Sequence, residues 1–253
     1  MICLLTRIAL ASVFFASCNP LVKADEKARQ RTDFPLPRTI EYRWMTLEKW
    51  KWFHDEDLKR AKAGPVDLLF LGDSITECWD TRGEPVWKKQ FVSLNGANFG
   101  VGGDTTQNLL WRITKGGAMQ GLSPKVVVLM IGTNNIGLHR DKPQDVARGV
   151  RANIEAIHAI SPGSRIILHP IFPRGANPDD SMRKDVVATN RLLEPFADLG
   201  YVTWLPVWDV FLDRKGNLPK AIMPDYLHPN EQGYQLWAKE IKPTIRRLMK
   251  ASR

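Results

Sequence analysis

The chain alternates between short apolar segments and longer segments with helical spacing. The segment Lys125 to Ile131 (KVVVLMI) is continuous and β-branched, as in a strand buried on both faces. Four more predicted strands cover 66–71, 94–99, 165–172 and 202–207, and predicted helices cover 41–63, 105–114, 144–160, 183–199 and 230–249. This alternation predicts an α/β fold, a three-layer α/β/α sandwich around a five-stranded parallel sheet.

The first 24 residues predict an export signal. Arg7 supplies a positive charge, an apolar run follows over 8–16, and small residues at Val22 and Ala24 suit signal peptidase cleavage before residue 25. Processing as a lipoprotein at Cys18 is the alternative. We therefore expect an exported protein, periplasmic or secreted.

The rest of the chain predicts an arm followed by one domain. Residues 25–40 are polar, carry Pro35 and Pro37, and indicate an extended N-terminal arm, while residues 41–253 form a single domain of ordinary size. Removing the signal would leave Cys78 as the one cysteine, so no internal disulfide is expected.

Charge narrows the range of partners. The formal net charge is +9, yet no basic motif interleaved with aromatic residues appears, so we expect no nucleic acid partner. No apolar run reaches the roughly 18 residues that span a bilayer, so specific membrane insertion is not expected. A homodimer is possible, although no surface stripe in the sequence argues for it.

The candidate chemistry lies just after the predicted strands, where parallel sheets bind ligands. Ser74 follows the first strand through Gly72 and Asp73 and precedes a plausible helix start. A serine there exposes its hydroxyl and places its N–H near a helix N-terminus, which favours negative charge. The alternative is that Ser74 only caps the helix, the commonest task of serine at such a position.

A serine nucleophile needs a base. Among five histidines, His228 alone has a carboxylate at close spacing within a loop, in Pro224-Asp225-Tyr226-Leu227-His228-Pro229. Asp225 could accept the Nδ1–H of His228 and fix its tautomer. An ordinary turn before a helix is the alternative. His169, inside an apolar strand, is expected to be a core residue.

An oxyanion hole needs hydrogen-bond donors beside the serine. Gly103, after the second strand, could donate its backbone N–H, Asn134, after the third, could donate its side-chain amide, and the Ser74 N–H could be a third donor. The alternative is that Gly103 and Asn134 simply make turns. Trp79, Leu138 and Arg174 could line a pocket or be structural.

Other motifs are absent. Gly100-Val101-Gly102-Gly103 lacks the third glycine of a dinucleotide fingerprint, because Thr105 stands there. No phosphate loop, HExxH motif or cysteine cluster for zinc occurs. We therefore expect no cofactor and no metal.

Four ordered blocks resemble those of the SGNH (GDSL) hydrolase family. They are FLGDSIT (70–76), NFGVGGDTT (98–106), GTNN (132–135) and DYLH (225–228). The second and third, with their flanks, are especially similar to catalytic subunits of platelet-activating factor acetylhydrolase and their bacterial relatives. One departure is that Asn135 stands where the third block often has Asp.

The resemblance implies a flavodoxin-like hydrolase domain over 41–253. It implies a catalytic triad of Ser74, Asp225 and His228, with an oxyanion hole of Ser74, Gly103 and Asn134. The expected activity is hydrolysis of short-chain acyl esters, acetyl esters above all, on a small ester or an acetylated carbohydrate. The alternatives are a lysophospholipase or thioesterase on the same triad, a catalytically inactive carbohydrate-binding relative, and a structural envelope protein.

Overall fold

The computed structural model describes residues 31–251. The predicted export signal over 1–24, the cleavage sites at Ala24 and Cys18, and residues 25–30 of the predicted arm lie outside the described residues. The boundaries predicted for the arm and the domain stay predictions.

Five parallel strands form one sheet in the order β2-β1-β3-β4-β5. They are β1 (Leu68–Gly72), β2 (Gly96–Gly100), β3 (Val126–Met130), β4 (Arg165–Leu168) and β5 (Val202–Trp204). This is the strand order of flavodoxin-like folds. From β1 the chain adds β2 on one side and then β3 to β5 on the other, so the strand order switches between β1 and β3. In such folds ligands bind at this switch point, at the carboxyl ends of the strands.

Residues 31–251 contain seven α-helices besides this sheet. They are α1 (Leu47–Lys62), α2 (Ser74–Glu77), α3 (Glu84–Gln90), α4 (Thr106–Ile113), α5 (Pro143–Ile160), α6 (Ser181–Leu193) and α7 (Glu231–Ala251). A π-helical segment covers Asn135–His139, and 3-10 turns cover Cys78–Asp80, Val92–Leu94, Glu194–Leu199 and Asp209–Phe211.

Two apolar cores lie on opposite faces of the sheet because strand residues alternate. Leu69 and Leu71 of β1 face the core that α4, α5 and α6 complete. Leu68 and Phe70 face the core that α2, α3 and α7 complete, which includes Trp237. All five residues of β1 and of β3 are buried. The predicted three-layer α/β/α sandwich with five parallel strands is thus confirmed.

The first helix starts later than predicted. Glu41 was the expected start, but Tyr42 and Met45 exchange backbone hydrogen bonds in an isolated antiparallel bridge. The side chain of Thr46 then caps α1 by accepting from the N–H of Lys49 at 3.1 Å. The predicted helix at 41–46 is therefore wrong, and those residues form a turn.

Prolines shorten three other predicted elements. The strand expected to reach 172 ends at Leu168, shortly before Pro170, and the strand expected to reach 207 ends at Trp204, shortly before Pro206. The helix expected to reach 199 becomes a 3-10 turn from Glu194, because Pro195 has no N–H to donate.

Residues 31–40 contain no helix or strand and lie against the loops that carry the site. The N–H of Leu36 donates to the carbonyl of Gln107 at 3.1 Å, and the side chain of Asn108 donates to the carbonyl of Leu36 at 3.1 Å. Arg38 donates to the carbonyl of Gly102 at 2.8 Å. No helix among residues 31–251 combines the length and apolar composition that crossing a membrane requires.

Candidate active site

Ser74 is the first residue of α2, directly beyond β1. Asp73 is the N-cap, and its carboxylate accepts from the N–H of Ile75 at 3.0 Å. Ser74 therefore does not cap the helix, which leaves its hydroxyl free for another partner. The turn is tight, because a Cβ on Gly72 would lie 2.2 Å from the Oγ1 of Thr76.

The cap of this helix is a buried carboxyl group. Asp73 is 1% exposed. Burial raises its pKa to about 7, although the hydrogen bond from the N–H of Ile75 acts in the opposite direction. The nearby guanidinium of Arg174 also favours the charged form. Asp73 thus gains or loses a proton near neutral pH immediately beside Ser74.

His228 contacts Ser74 on one side and Asp225 on the other. Its Nε2 lies 2.8 Å from the Oγ of Ser74, and its Nδ1 lies 2.7 Å from Oδ2 of Asp225. The second carboxylate oxygen of Asp225 accepts from the backbone N–H of His228 at 2.8 Å and of Leu227 at 3.1 Å. The structure therefore brings together the three residues predicted from opposite ends of the chain.

Asp225 remains a carboxylate in this setting. Burial alone would raise its pKa, but the hydrogen bonds from the backbone and ring of His228 outweigh burial and lower it. Arg82 adds a nearby positive charge, with its Nη1 at 3.7 Å from Oδ2 of Asp225. A charged Asp225 can hold the proton of His228 on Nδ1, so that Nε2 is free to accept one.

The loop that carries His228 is held on both sides. Tyr226 adopts a left-handed conformation, φ 57°, and its carbonyl accepts from the N–H of Gly175 at 2.9 Å. Beyond the loop, the hydroxyl of Tyr234 in α7 donates to the carbonyl of Ile75 in α2 at 2.7 Å. The helix after His228 is thus bonded directly to the helix that begins at Ser74.

The two remaining predicted oxyanion residues lie beyond β2 and β3 at the same end of the sheet, with Asn134 as the N-cap of the π-helical segment. Gly103 has a φ of +76°, and a Cβ there would lie 2.7 Å from the ring of Trp44 and 2.9 Å from Arg38. Asn134 is 6% exposed and donates one amide hydrogen to the carbonyl of Asp104 at 3.0 Å. Its second amide hydrogen has no acceptor within residues 31–251.

A buried ionic network that sequence reasoning missed lies behind Gly103. The carboxylate of Asp104, 0% exposed, accepts from Arg38 at 3.2 Å, Trp50 at 2.7 Å and Arg112 at 2.7 Å. Arg112 also pairs with Asp57 at 2.7 Å. The signal available in the sequence was Arg112, a charged residue among the apolar residues of α4. A buried charge of this kind needs a charged or hydrogen-bonding partner.

Asn135 is buried and links three segments, which accounts for an amide at this position. Its Oδ1 accepts from the N–H of Thr106 at 2.9 Å, while its Nδ2 donates to Asp141 at 2.9 Å and Gln107 at 3.1 Å. An aspartate here would face the carboxylate of Asp141. Asn135 therefore supplies a donor that a carboxylate could not.

The three residues suggested for pocket lining have different surroundings. Trp79 is completely buried in the core formed with α3 and α7, where its ring packs 4.4 Å from that of Tyr234, so it is structural. Leu138 is exposed. Arg174 is half-buried and donates to the backbone and side chain of Thr133 at 2.7 and 3.0 Å. His169 is a core residue as expected, bonded to Leu205 and Trp237.

An exposed tryptophan beside Gly103 was also missed. Trp44 is 51% exposed, packs against Gly103, and stacks on Tyr42 with ring centroids 5.0 Å apart. The hydroxyl of Tyr42 lies 3.3 Å from Nε2 of His139, at the end of the π-helical segment. These aromatic side chains thus border the loops of Gly103 and Asn134. The sequence predicts a helix over 41–63, and this prediction does not place Tyr42 and Trp44 beside the site.

The fold and the contacting serine, histidine and aspartate define the class of α/β-sandwich hydrolases. The sequence model described as the GDSL-like Lipase/Acylhydrolase family matches residues 70–236. The chain belongs to this family and is a hydrolase. The resemblance drawn from the four sequence blocks is confirmed.

Individual relatives agree with this placement. The chain is 31% identical to platelet-activating factor acetylhydrolase IB subunit alpha2 from Homo sapiens over 202 residues, covering 80% of this chain and 86% of that protein. It is 28% identical to subunit alpha1 from Mus musculus over 207 residues, covering 82% and 84%.

Solved structures share the fold. A GDSL-like lipase from Bacteroides thetaiotaomicron has a TM-score of 0.63 at 20% identity, covering 78% of this chain and 97% of that one. An acetylxylan esterase from Geobacillus stearothermophilus has a TM-score of 0.57 at 21% identity, covering 73% and 96%.

Proposed function

We propose that this hydrolase cleaves short-chain acyl esters, acetyl esters above all, with Ser74 as the nucleophile. The observation that carries the proposal is the line of contacts from Ser74 through His228 to Asp225, at 2.8 and 2.7 Å. Hydrogen-bond reach between nucleophile, base and orienting carboxylate is the arrangement that activates a serine.

In the proposed reaction, the Oγ of Ser74 forms a bond to the ester carbonyl carbon while Nε2 of His228 takes the hydroxyl proton. The tetrahedral intermediate then collapses, the bond to the alcohol oxygen breaks, and His228 returns the proton to that oxygen. Water attacks the acyl-enzyme by the same route and frees the acid. Asp225 stabilises the imidazolium in both halves.

The negative charge on the intermediate requires donors that are in place beforehand. We assign the N–H groups of Ser74 and Gly103 and the amide of Asn134 to this task. The bond from Asn134 to the carbonyl of Asp104 supports the assignment, because it orients the amide and leaves a second hydrogen available. The buried ion pairs of Asp104 hold the loop that contains Gly103.

We infer that the ester is an acetylated carbohydrate, whose sugar hydroxyl is the alcohol that leaves. The exposed ring of Trp44 beside Gly103 supports this, since aromatic rings pack against the apolar faces of sugars. An acetylxylan esterase shares the fold, and relatives carry the name acetylhydrolase. The export expected from residues 1–24 would bring such an enzyme to polysaccharides outside the cytoplasm.

Turnover of nitrophenyl esters by the wild type and two serine variants tests the proposal. Ser74→Ala should abolish acetate hydrolysis, whereas Ser93→Ala, in a surface turn, should leave it unchanged. Wild-type activity should fall beyond butyrate and should extend to acetylated xylan. Full activity in Ser74→Ala would refute the nucleophile, and a preference for long acyl chains would favour a lysophospholipase.

A further inference from the structure

One face of the last helix carries a line of cations. Lys239, Lys242, Arg246 and Lys250 follow one another in α7 at steps of three, four and four residues. That spacing places side chains on a single face of a helix, here over about 16 Å. Lys239, Arg246 and Lys250 are exposed, and Lys242 is half-buried.

These cations lack acidic partners, whereas some other lysines of the chain are paired. Lys88 pairs with Glu84 at 2.5 Å and Lys125 with Asp67 at 2.9 Å. Within residues 31–251, Lys239, Arg246 and Lys250 make no ion pair, and Lys242 donates to the side chain of Gln90. These three cations are therefore not paired with a carboxylate within the described part of the chain.

Two adjoining depressions lie along this face. The first, about 610 Å³, runs between α3 and α7, and its lining includes Lys89, Lys239 and one acid, Glu231. The second, about 430 Å³, lies between the last turns of α7 and the residues that precede β1 and β2, and its lining includes one acid, Asp67, which pairs with Lys125. Arg246 lines both, so the depressions form one track. We call it the basic track.

Polar uncharged side chains line both depressions of the basic track, beside apolar ones such as Val86 and Leu94. Gln90 and Gln235 line the first depression, and Ser93 and Asn95 line the second. Such side chains bond hydroxyl groups. Neither depression has an aromatic residue on which bases would stack, and none of the large apolar side chains exposed in residues 31–251 lines either of them.

We propose that the basic track binds an acidic polysaccharide. The cations of α7 would pair with its carboxylate groups, and the amide and hydroxyl side chains would bond its sugar hydroxyls. Such pairing weakens as salt is added, because the charged groups are exposed and screened.

The basic track lies away from the candidate active site. Asp67 and Asn95, which line the second depression, directly precede β1 and β2, whereas Ser74 follows the opposite end of β1. The five residues of β1 separate these ends by about 17 Å. A polymer bound here leaves the Ser74 cleft open, and the binding does not depend on the proposed ester hydrolysis.

Binding to polygalacturonate, measured by titration at low salt, tests the proposal. The triple variant Lys239→Glu, Arg246→Glu, Lys250→Glu should bind at least about tenfold more weakly than the wild type. A control triple, Lys62→Glu, Arg191→Glu, Arg214→Glu, makes the same change in net charge at exposed cations elsewhere and should bind like the wild type. Both triples should keep the thermal midpoint and nitrophenyl acetate turnover of the wild type.

Three results would overturn the proposal. Equal loss in both triples would mean that binding follows net charge alone. Wild-type binding to neutral dextran as tight as to polygalacturonate would remove the role of the cations. Tighter binding to phosphatidylglycerol vesicles or oligodeoxythymidine than to polygalacturonate would assign the basic track to a different partner. If the triple variant loses stability, the exposed pair Lys239→Gln and Arg246→Gln repeats the comparison.

Discussion

His228 stands 154 positions after Ser74, yet its Nε2 lies 2.8 Å from the Ser74 hydroxyl oxygen. The contact depends on the sheet, which places Ser74 at the carboxyl end of β1, and on α7, which packs in the core on the same face of the sheet. The bond from Tyr234 to the carbonyl of Ile75 joins the two helices next to the contact. The geometry of the pair is thus held by elements outside the loop of His228.

Removing the amide of Asn134 should slow the chemical step. We expect Asn134→Ala to lower kcat by about 100-fold or more, with a smaller effect on KM, because an oxyanion donor acts mainly in the transition state. Asn190→Ala is the matched control, since its amide also donates to a backbone carbonyl, that of Ile171 at 2.9 Å, but lies on α6, which carries none of the assigned residues. An unchanged kcat in Asn134→Ala would remove this residue from the oxyanion hole.

Adding a methyl group at Gly103 should cost more than the same change at Gly121. Both glycines have φ near +80°, but a Cβ at Gly121 meets nothing within 4 Å, whereas one at Gly103 meets Trp44 at 2.7 Å. We expect Gly121→Ala to lose about 1–2 kcal/mol of unfolding free energy from backbone strain. Gly103→Ala should lose a further ~1–3 kcal/mol from overpacking.

Urea unfolding and acetate turnover of the two variants check this difference. Gly103→Ala should also lose activity, because its N–H is assigned to the oxyanion hole, while Gly121→Ala should keep wild-type kcat. Equal stability losses and equal rates would show that the space around Gly103 is unimportant.

The layers of the fold could be predicted from the chain, because buried strands such as β3 are continuous apolar segments and the helices between them are amphipathic. The strand order and register could not be, since they depend on pairing between distant segments. The first helix was predicted to start too early, because the bridge between Tyr42 and Met45 leaves no mark in helical spacing. Trp79 could not be assigned, since an aromatic residue suits a pocket and a core equally.

The residues that carry the proposed chemistry of the site stand in recognisable sequence blocks, after strands for Ser74, Gly103 and Asn134 and in the loop before α7 for Asp225 and His228. The residues that support it do not. Asp104 and Arg38 are 66 positions apart in the sequence and form a buried ion pair only in the folded chain. Arg112 donates to the same carboxylate. Nothing local in the sequence indicates which carboxylate an arginine will meet.

Truncating Trp44 should affect carbohydrate esters and spare small ones. We expect Trp44→Ala to raise KM for acetylated xylo-oligosaccharides by about tenfold, the loss of a stacking contact, while kcat/KM for nitrophenyl acetate stays within about twofold. Trp52→Ala is the control, because Trp52 is equally exposed, 54% against 51%, but lies on α1. Equal effects of both variants would exclude a sugar contact at Trp44.

Asp73 should make stability fall with rising pH. Its pKa is raised from 3.8 to about 7, so the folded protein retains a proton that the unfolded chain has released between these values. The protonated form of Asp73 therefore makes its full contribution to folding stability below pH 3.8, and this contribution is lost as the pH rises to about 7. Asp73→Asn keeps an oxygen to accept from Ile75 and removes the titration.

Unfolding free energies at pH 5 and pH 8 measure this effect. The stability of Asp73→Asn relative to the wild type should increase over this range by on the order of 2 kcal/mol. Parallel pH profiles for the two proteins would contradict the raised pKa.

The most direct test of the account is to locate the covalent adduct that a fluorophosphonate forms with the enzyme. Mass spectrometry of the digested wild-type protein should find it on the hydroxyl of Ser74, and His228→Ala should slow its formation by about 100-fold or more, because the base that activates the serine is gone. A wild-type enzyme that hydrolyses acetyl esters yet carries the adduct on another residue, or labels equally fast without His228, would contradict the account.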